Sequence, residues 1–242
     1  MESNNESLKT PRREFLGTLA TGAVAMGIAS LATPLQAIAN PNTQAENGID
    51  DADAWFKKIK GKHKIVFDAT QPHEIFPFAW PAVFMMTNEA TGTMPKDQSI
   101  VVVLRHSAIA YAFDDKLWAK YNFGEVFKAK EIGPAFKAAD YKTAVSTRNP
   151  FWKPKEGDFQ VPGLGNVAIG INDLQQKGVM FCVCNAAITV YSTVVAQGMN
   201  MKPEEVRKDW MSGLLPDIQV VPSGVWAVGR AQEHGCAYCF AG

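Results

Sequence analysis

Cysteine and histidine are the residue types here best suited to chemistry, and the chain has four of each. Cys182 and Cys184 stand two apart in Gly178-Val-Met-Phe-Cys-Val-Cys184-Asn, and Cys236-Ala-Tyr-Cys239 makes a C-x-x-C. Cys184 is the sharpest of them. It closes an apolar run and precedes a helical stretch, where unpaired backbone N–H groups favour an anion and pull a thiol down from about 8.5. Such a thiolate can attack sulfur or bind a soft metal. The plainer alternative is a small buried hydrophobe, and Cys182, inside the same run, fits it better. His106 follows Arg105 at the end of another apolar run, placed for a base, a proton relay or a metal ligand. His73 has a similar but weaker position. With Cys182 and Cys184, the two histidines make a donor set suited to copper or zinc. His234, at a helix end, reads as structural. The C-x-x-C lies in or beside a strand rather than at a strand-to-helix turn, so its spacing carries little redox meaning; whether it is bridged stays open.

The elements that must hold these residues follow from the hydrophobic pattern. Strands are expected at 64–69, 99–106, 178–184, 217–221 and 236–241. Helices are expected from about Pro81 to Ala90 and at 166–177, 186–197, 203–214 and 223–234, with Asn185 and Ser223 as N-caps. The run 100–104 is continuous and mostly β-branched, as in a parallel sheet covered on both faces. Strands alternating with helices predict right-handed crossovers and a five-stranded, mostly parallel α/β sheet, flavodoxin-like. Ligands of such sheets meet the carboxyl ends of the strands, which here gather Thr70, His73, His106, Cys184 and Ser223. Residues 118–165 break the alternation and carry Tyr121, Phe123, Phe127, Phe136, Tyr141, Phe151 and Trp152. Such an insertion could cover a pocket, build a subunit interface, or pack on its own sheet.

Composition excludes several classes. The 242 residues hold 24 Lys+Arg and 24 Asp+Glu. A neutral chain does not bind nucleic acid by bulk positive charge, and 47% hydrophobic residues are too many for a disordered one. No G-x-G-x-x-G, Walker or nucleophile-elbow pattern occurs. Residues 1–39 read as a twin-arginine export signal: Arg12-Arg13, an uncharged Ala- and Gly-rich run, then Ala37-Ile38-Ala39 for cleavage. The competing reading is a membrane anchor, but Gly17, Gly22 and Gly27 dilute the run. The expected location is periplasmic, without stable membrane insertion after cleavage. Residues 40–62 form a polar tether with a short helix, and 63–242 the α/β domain.

The segment Gly178-Val-Met-Phe-Cys-Val-Cys184-Asn-Ala-Ala, the stretch 214–238, the strand end Leu104-Arg105-His106-Ser107 and Arg148-Asn149-Pro150-Phe151 together resemble the DsrE/DsrF-like family, in its exported branch with a twin-arginine signal. The likeness runs from about Lys64 onward. It implies a five-stranded parallel α/β sheet and a homo-oligomer. Some members carry sulfur as a cysteine persulfide just after the third strand, in relays with partner proteins, and the matching position is Cys184. The resemblance therefore implies persulfide binding or transfer at Cys184 with a sulfur-relay or redox partner, and His106, read from its strand-end position, would move the proton. Two departures, the aromatic insertion and export, argue against tRNA thiolation. Metal or cofactor binding, and a non-catalytic oligomeric or partner-binding domain, are the competing functions.

Overall fold

The computed structural model describes residues 51–129 and 147–242. The export signal, the start of the tether, Phe136 and Tyr141 lie outside the described residues. After a short helix α1 (Ala52–Phe56), strand β1 (His63–Ala69) opens the sheet. Helix α2 (Phe76–Ala90) leads to β2 (Gln98–Leu104). A 3₁₀ segment (His106–Ala112), α3 (Asp115–Tyr121), α4 (Phe123–Val126) and a two-residue-per-strand hairpin, β3 (Gln160–Val161) with β4 (Gly165–Asn166), fill the next stretch. Then come α5 (Ile171–Gln176), β5 (Met180–Cys184), α6 (Asn185–Gly198), α7 (Pro203–Ser212), β6 (Ile218–Val221), α8 (Gly224–Glu233) and β7 (Ala237–Phe240).

The main sheet is five-stranded and parallel, in the order β6-β5-β2-β1-β7, with helices flanking it. This is the expected α/β architecture. The steps β1 to β2 to β5 to β6 all travel one way, so right-handed crossovers put their helices on one face. The return from β6 to β7 crosses back, and α8 touches β1, β2, β5, β6 and β7 on the way. The order therefore reverses between β1 and β7. Flavodoxin itself reverses elsewhere, with strand order 2-1-3-4-5.

The apolar runs are buried as their composition requires: Val101, Val102, Val103 and Leu104 are all fully buried. Two local expectations shift. Helix α2 begins at Phe76, not Pro81. Pro77 falls in the first turn, where a missing N–H costs nothing; Pro81 forfeits one intrahelical bond but is buried with Phe78 and Met85. Residue 166 belongs to the hairpin, and α5 starts only after Gly170, whose N–H is taken by the Asp173 carboxylate at 3.2 Å. The described part of the aromatic insertion packs into the domain's own core. Trp118, Phe123 and Phe151 are fully buried, and Phe123 meets Trp210 of α7 edge-on at 4.8 Å. Asn149, also buried, ties the segment down: its Nδ2 donates to the carbonyls of Tyr111 and Phe113, both at 2.9 Å. Among the described residues no helix is long and apolar enough to cross a membrane.

Candidate functional site

Side chains two apart on a strand share a face, and the register carries that rule across the sheet. Asp68 pairs with Val103 on one side and Phe240 on the other, and Val103 pairs with Cys182. Asp68, Arg105, Cys184 and Tyr238 therefore belong to one face, at the carboxyl ends of β1, β2 and β5 and on β7. Helix α8 lies over this face: a Cβ on Gly224 would meet Arg105 Cβ at 2.4 Å. Only glycine allows the helix start to come that close.

Cys184 is the N-cap of α6, a role the sequence suggested for Asn185. Its Sγ accepts the N–H of Ala187 at 3.3 Å. The Ala186 N–H donates instead to the Pro222 carbonyl at 3.2 Å, but its amide and that of Gly224, the first residue of α8, lie near enough to favour the thiolate, as does the Arg105 charge. Two helix N-termini and one cation thus converge on this atom. Burial opposes them and is the larger effect: Cys184 is only 6% exposed, and its thiol pKa is raised, not lowered as the helix end alone would suggest. Cys182 lies deeper and is pushed up further by burial. Cys236 is buried and pushed up to about 11, again by burial, and Cys239 is half-buried. All four cysteines are free thiols.

Arg105 is held by Asp68 through two parallel bonds, Nε to Oδ1 at 2.6 Å and Nη2 to Oδ2 at 2.9 Å. Tyr238 donates a third bond to Oδ2 at 3.0 Å. Donating to the Asp68 carboxylate raises the Arg105 pKa above its usual value. Asp68, Arg105 and Tyr238 were not singled out as site residues from the sequence. The available signal was a lone carboxylate inside an otherwise apolar strand, which must find a charged or donating partner when buried.

His106 stands next in line but faces elsewhere. Its backbone is left-handed (φ 49°), a conformation that costs non-glycine residues energy and collects at functional sites. The ring meets Tyr191 of α6, whose hydroxyl is 3.2 Å from Nε2 and 3.4 Å from Nδ1, and Ser107 Oγ lies 3.3 Å from Nδ1. No hydrogen bond joins it to Cys184. Although His106 is exposed overall, desolvation of the ring by its neighbours, with the Arg105 charge second, holds its pKa below the usual 6.5. His73 is exposed and packs its ring against Phe76 at 5.1 Å. Among the described residues no group of three or more His, Cys, Asp or Glu side chains is arranged to hold a metal ion, so Cys182, Cys184, His73 and His106 do not form a ligand cluster.

The arrangement can stabilise a developing negative charge on, or next to, the Cys184 sulfur. It holds a guanidinium rigidly, offers backbone donors and excludes bulk water. Compared with family models, with curated proteins and with solved structures, the chain matches none.

Proposed function

We propose that this chain is an exported, DsrE/DsrF-like sulfur-handling protein in which Cys184 takes up sulfane sulfur as a persulfide. The observation that carries the reading is the convergence of amides from α6 and α8, with Arg105, on one thiol at the carboxyl edge of a parallel sheet. The step is an exchange. The Cys184 sulfur attacks the outer sulfur of a donor persulfide, the donor's S–S bond breaks, and the departing thiolate takes the proton that Cys184 gave up. The product is a Cys184 persulfide and a donor thiol, with no net oxidation. A terminal persulfide is more acidic than a thiol, so the donors that burial outweighs for the thiol serve the charged product better. Arg105, positioned by Asp68, is the cation of the site; His106, whose ring pairs with Tyr191 and Ser107, would move the proton without a direct hydrogen bond to Cys184. A homo-oligomer and a sulfur-relay or redox partner in the periplasm belong to the same proposal.

Incubating the full chain with glutathione persulfide and weighing it intact, before and after dithiothreitol, tests this. The expected result is one reducible sulfur atom on wild type and none on Cys184→Ala. An unmodified wild-type chain, or sulfur that persists in Cys184→Ala, refutes the assignment.

A further inference from the structure

Away from Cys184, a groove of about 720 Å³ runs along α2. This is the size of a small-molecule pocket rather than of a packing defect. Its wall follows the helix from Phe76 to Glu89, about 20 Å at the α-helical rise. The opposite wall comes from the β3–β4 hairpin and from Gln98 and Ile100 at the start of β2. The groove therefore extends along the helix.

Its lining is apolar, and its mouth leaves apolar side chains in water: Trp80, Val83, Met86 and Leu164 are 39%, 36%, 51% and 60% exposed. Met85 and Met86 give it an adaptable surface, and Phe76 stacks on Trp80 with ring centres 4.8 Å apart. Charge is sparse and balanced: Glu89 and Lys177 each contribute to the rim, one of either sign. Two side-chain amides, Gln98 and Asn166, add directional features. Both Nε2 and Oε1 of Gln98 are buried without a hydrogen-bond partner, so this amide sits behind the groove surface and meets a ligand head only when the side chain turns outward. Such groups are costly unless something pairs with them.

The geometry points to a binding site for an elongated, uncharged aliphatic molecule whose head both donates and accepts a hydrogen bond, as a hydroxyl or primary carboxamide does. The length of the groove sets the chain, the apolar lining sets the body, and the Gln98 amide sets the head. A carboxylate or an ammonium would be mismatched, because the rim offers no net charge and the amide offers both a donor and an acceptor. This site shares no residue with the Cys184 constellation, and it stands or falls separately from persulfide chemistry.

The full chain is titrated with N-phenyl-1-naphthylamine, an uncharged apolar fluorophore, and the bound probe is competed with dodecanol, dodecanoate and dodecylamine. Saturable binding at one probe per chain is expected, with dodecanol displacing it at least tenfold better than either charged analogue. Val83→Glu puts a carboxylate at the exposed mouth and should weaken probe binding at least tenfold while leaving the thermal midpoint and Cys184 persulfidation unchanged. Gln98→Met should keep the probe but erase the preference for the alcohol. No saturable binding by wild type overturns the proposal, as does equal displacement by all three analogues. Self-association that Val83→Glu abolishes, with no probe bound, would make this face an interface between copies and overturn it too.

Discussion

Replacing Arg105 by methionine separates two roles that the structure joins in one side chain. The Asp68 carboxylate is 2% exposed and takes two of its three side-chain hydrogen bonds from Arg105. Arg105→Met keeps much of the aliphatic stem beneath α8 but leaves that carboxylate buried with Tyr238 alone. Removing one partner of a buried pair costs about 3 kcal/mol, and for a domain of this size each kcal/mol lowers Tm by about 2–4 °C. The expected drop is therefore about 6–12 °C. Adding Asp68→Asn should recover most of it, since the uncompensated charge is then gone. The same substitution removes the cation that favours the Cys184 thiolate, so the thiol should ionise at still higher pH. Thermal denaturation followed by circular dichroism reads the first effect. Iodoacetamide alkylation of Cys184 across pH, followed peptide by peptide in a mass spectrometer, reads the second. A Tm change below about 2 °C would show that the pair is effectively solvated. A large Tm drop with an unmoved alkylation profile would reduce Arg105 to a structural clamp and remove the electrostatic part of the sulfur proposal.

Three further outcomes follow from the same geometry. In wild type, Cys184 alkylation should climb steadily with pH, its inflection above the ordinary thiol value of about 8.5, because burial outweighs the helix-end donors; an inflection near neutrality would contradict the packing around the sulfur. His106 binds its proton less readily in the folded chain than in the unfolded one. Its stabilising contribution is therefore complete above about pH 6.5 and is lost as pH falls from there through the depressed folded value; urea midpoints of wild type and His106→Asn, which tolerates the left-handed backbone, should converge at low pH. Gly224→Ala drives a methyl into Arg105 and should cost about 1–3 kcal/mol, seen as a lower urea midpoint together with slower Cys184 alkylation at fixed pH, whereas Gly229→Ala, where a Cβ meets nothing within 4 Å, should cost nothing.

What the sequence could and could not reveal divides along sequence separation. Strand positions followed from short apolar runs. The Ser223 cap of α8 followed from local chemistry: its Oγ accepts the Trp226 N–H at 3.2 Å. Cys184 was visible as a strand-end thiol for the same reason. The boundaries of α2 and α5 were not, because tertiary burial of Pro81 and the hairpin at Gly165–Asn166 override local preference. The partners of Cys184 were hidden more deeply. Asp68, Arg105, Gly224 and Tyr238 span 170 residues of sequence; strand register brings the side chains of Asp68, Arg105 and Tyr238 to one face, and α8 lays Gly224 over it. The direction of the thiol's shift was hidden too, since a helix N-terminus can be read from a cap residue while the opposing burial is a sum over neighbours distant in sequence.

The two sites also differ in what the fold had to supply. Around Cys184 every donor is fixed by backbone or by the Asp68 clamp, so charge can develop on the sulfur without reorganisation. Along α2 the lining is mostly apolar, with thioethers, indole and valine that adapt to a ligand's shape, and only the Gln98 and Asn166 amides and the rim charges Glu89 and Lys177 can orient one. Under the persulfide proposal, sulfur entering or leaving Cys184 passes the start of α8, which closes over the Arg105 stem at Gly224. That route makes Gly224, rather than the more conspicuous His106, the position at which transfer to a partner should be most sensitive to substitution.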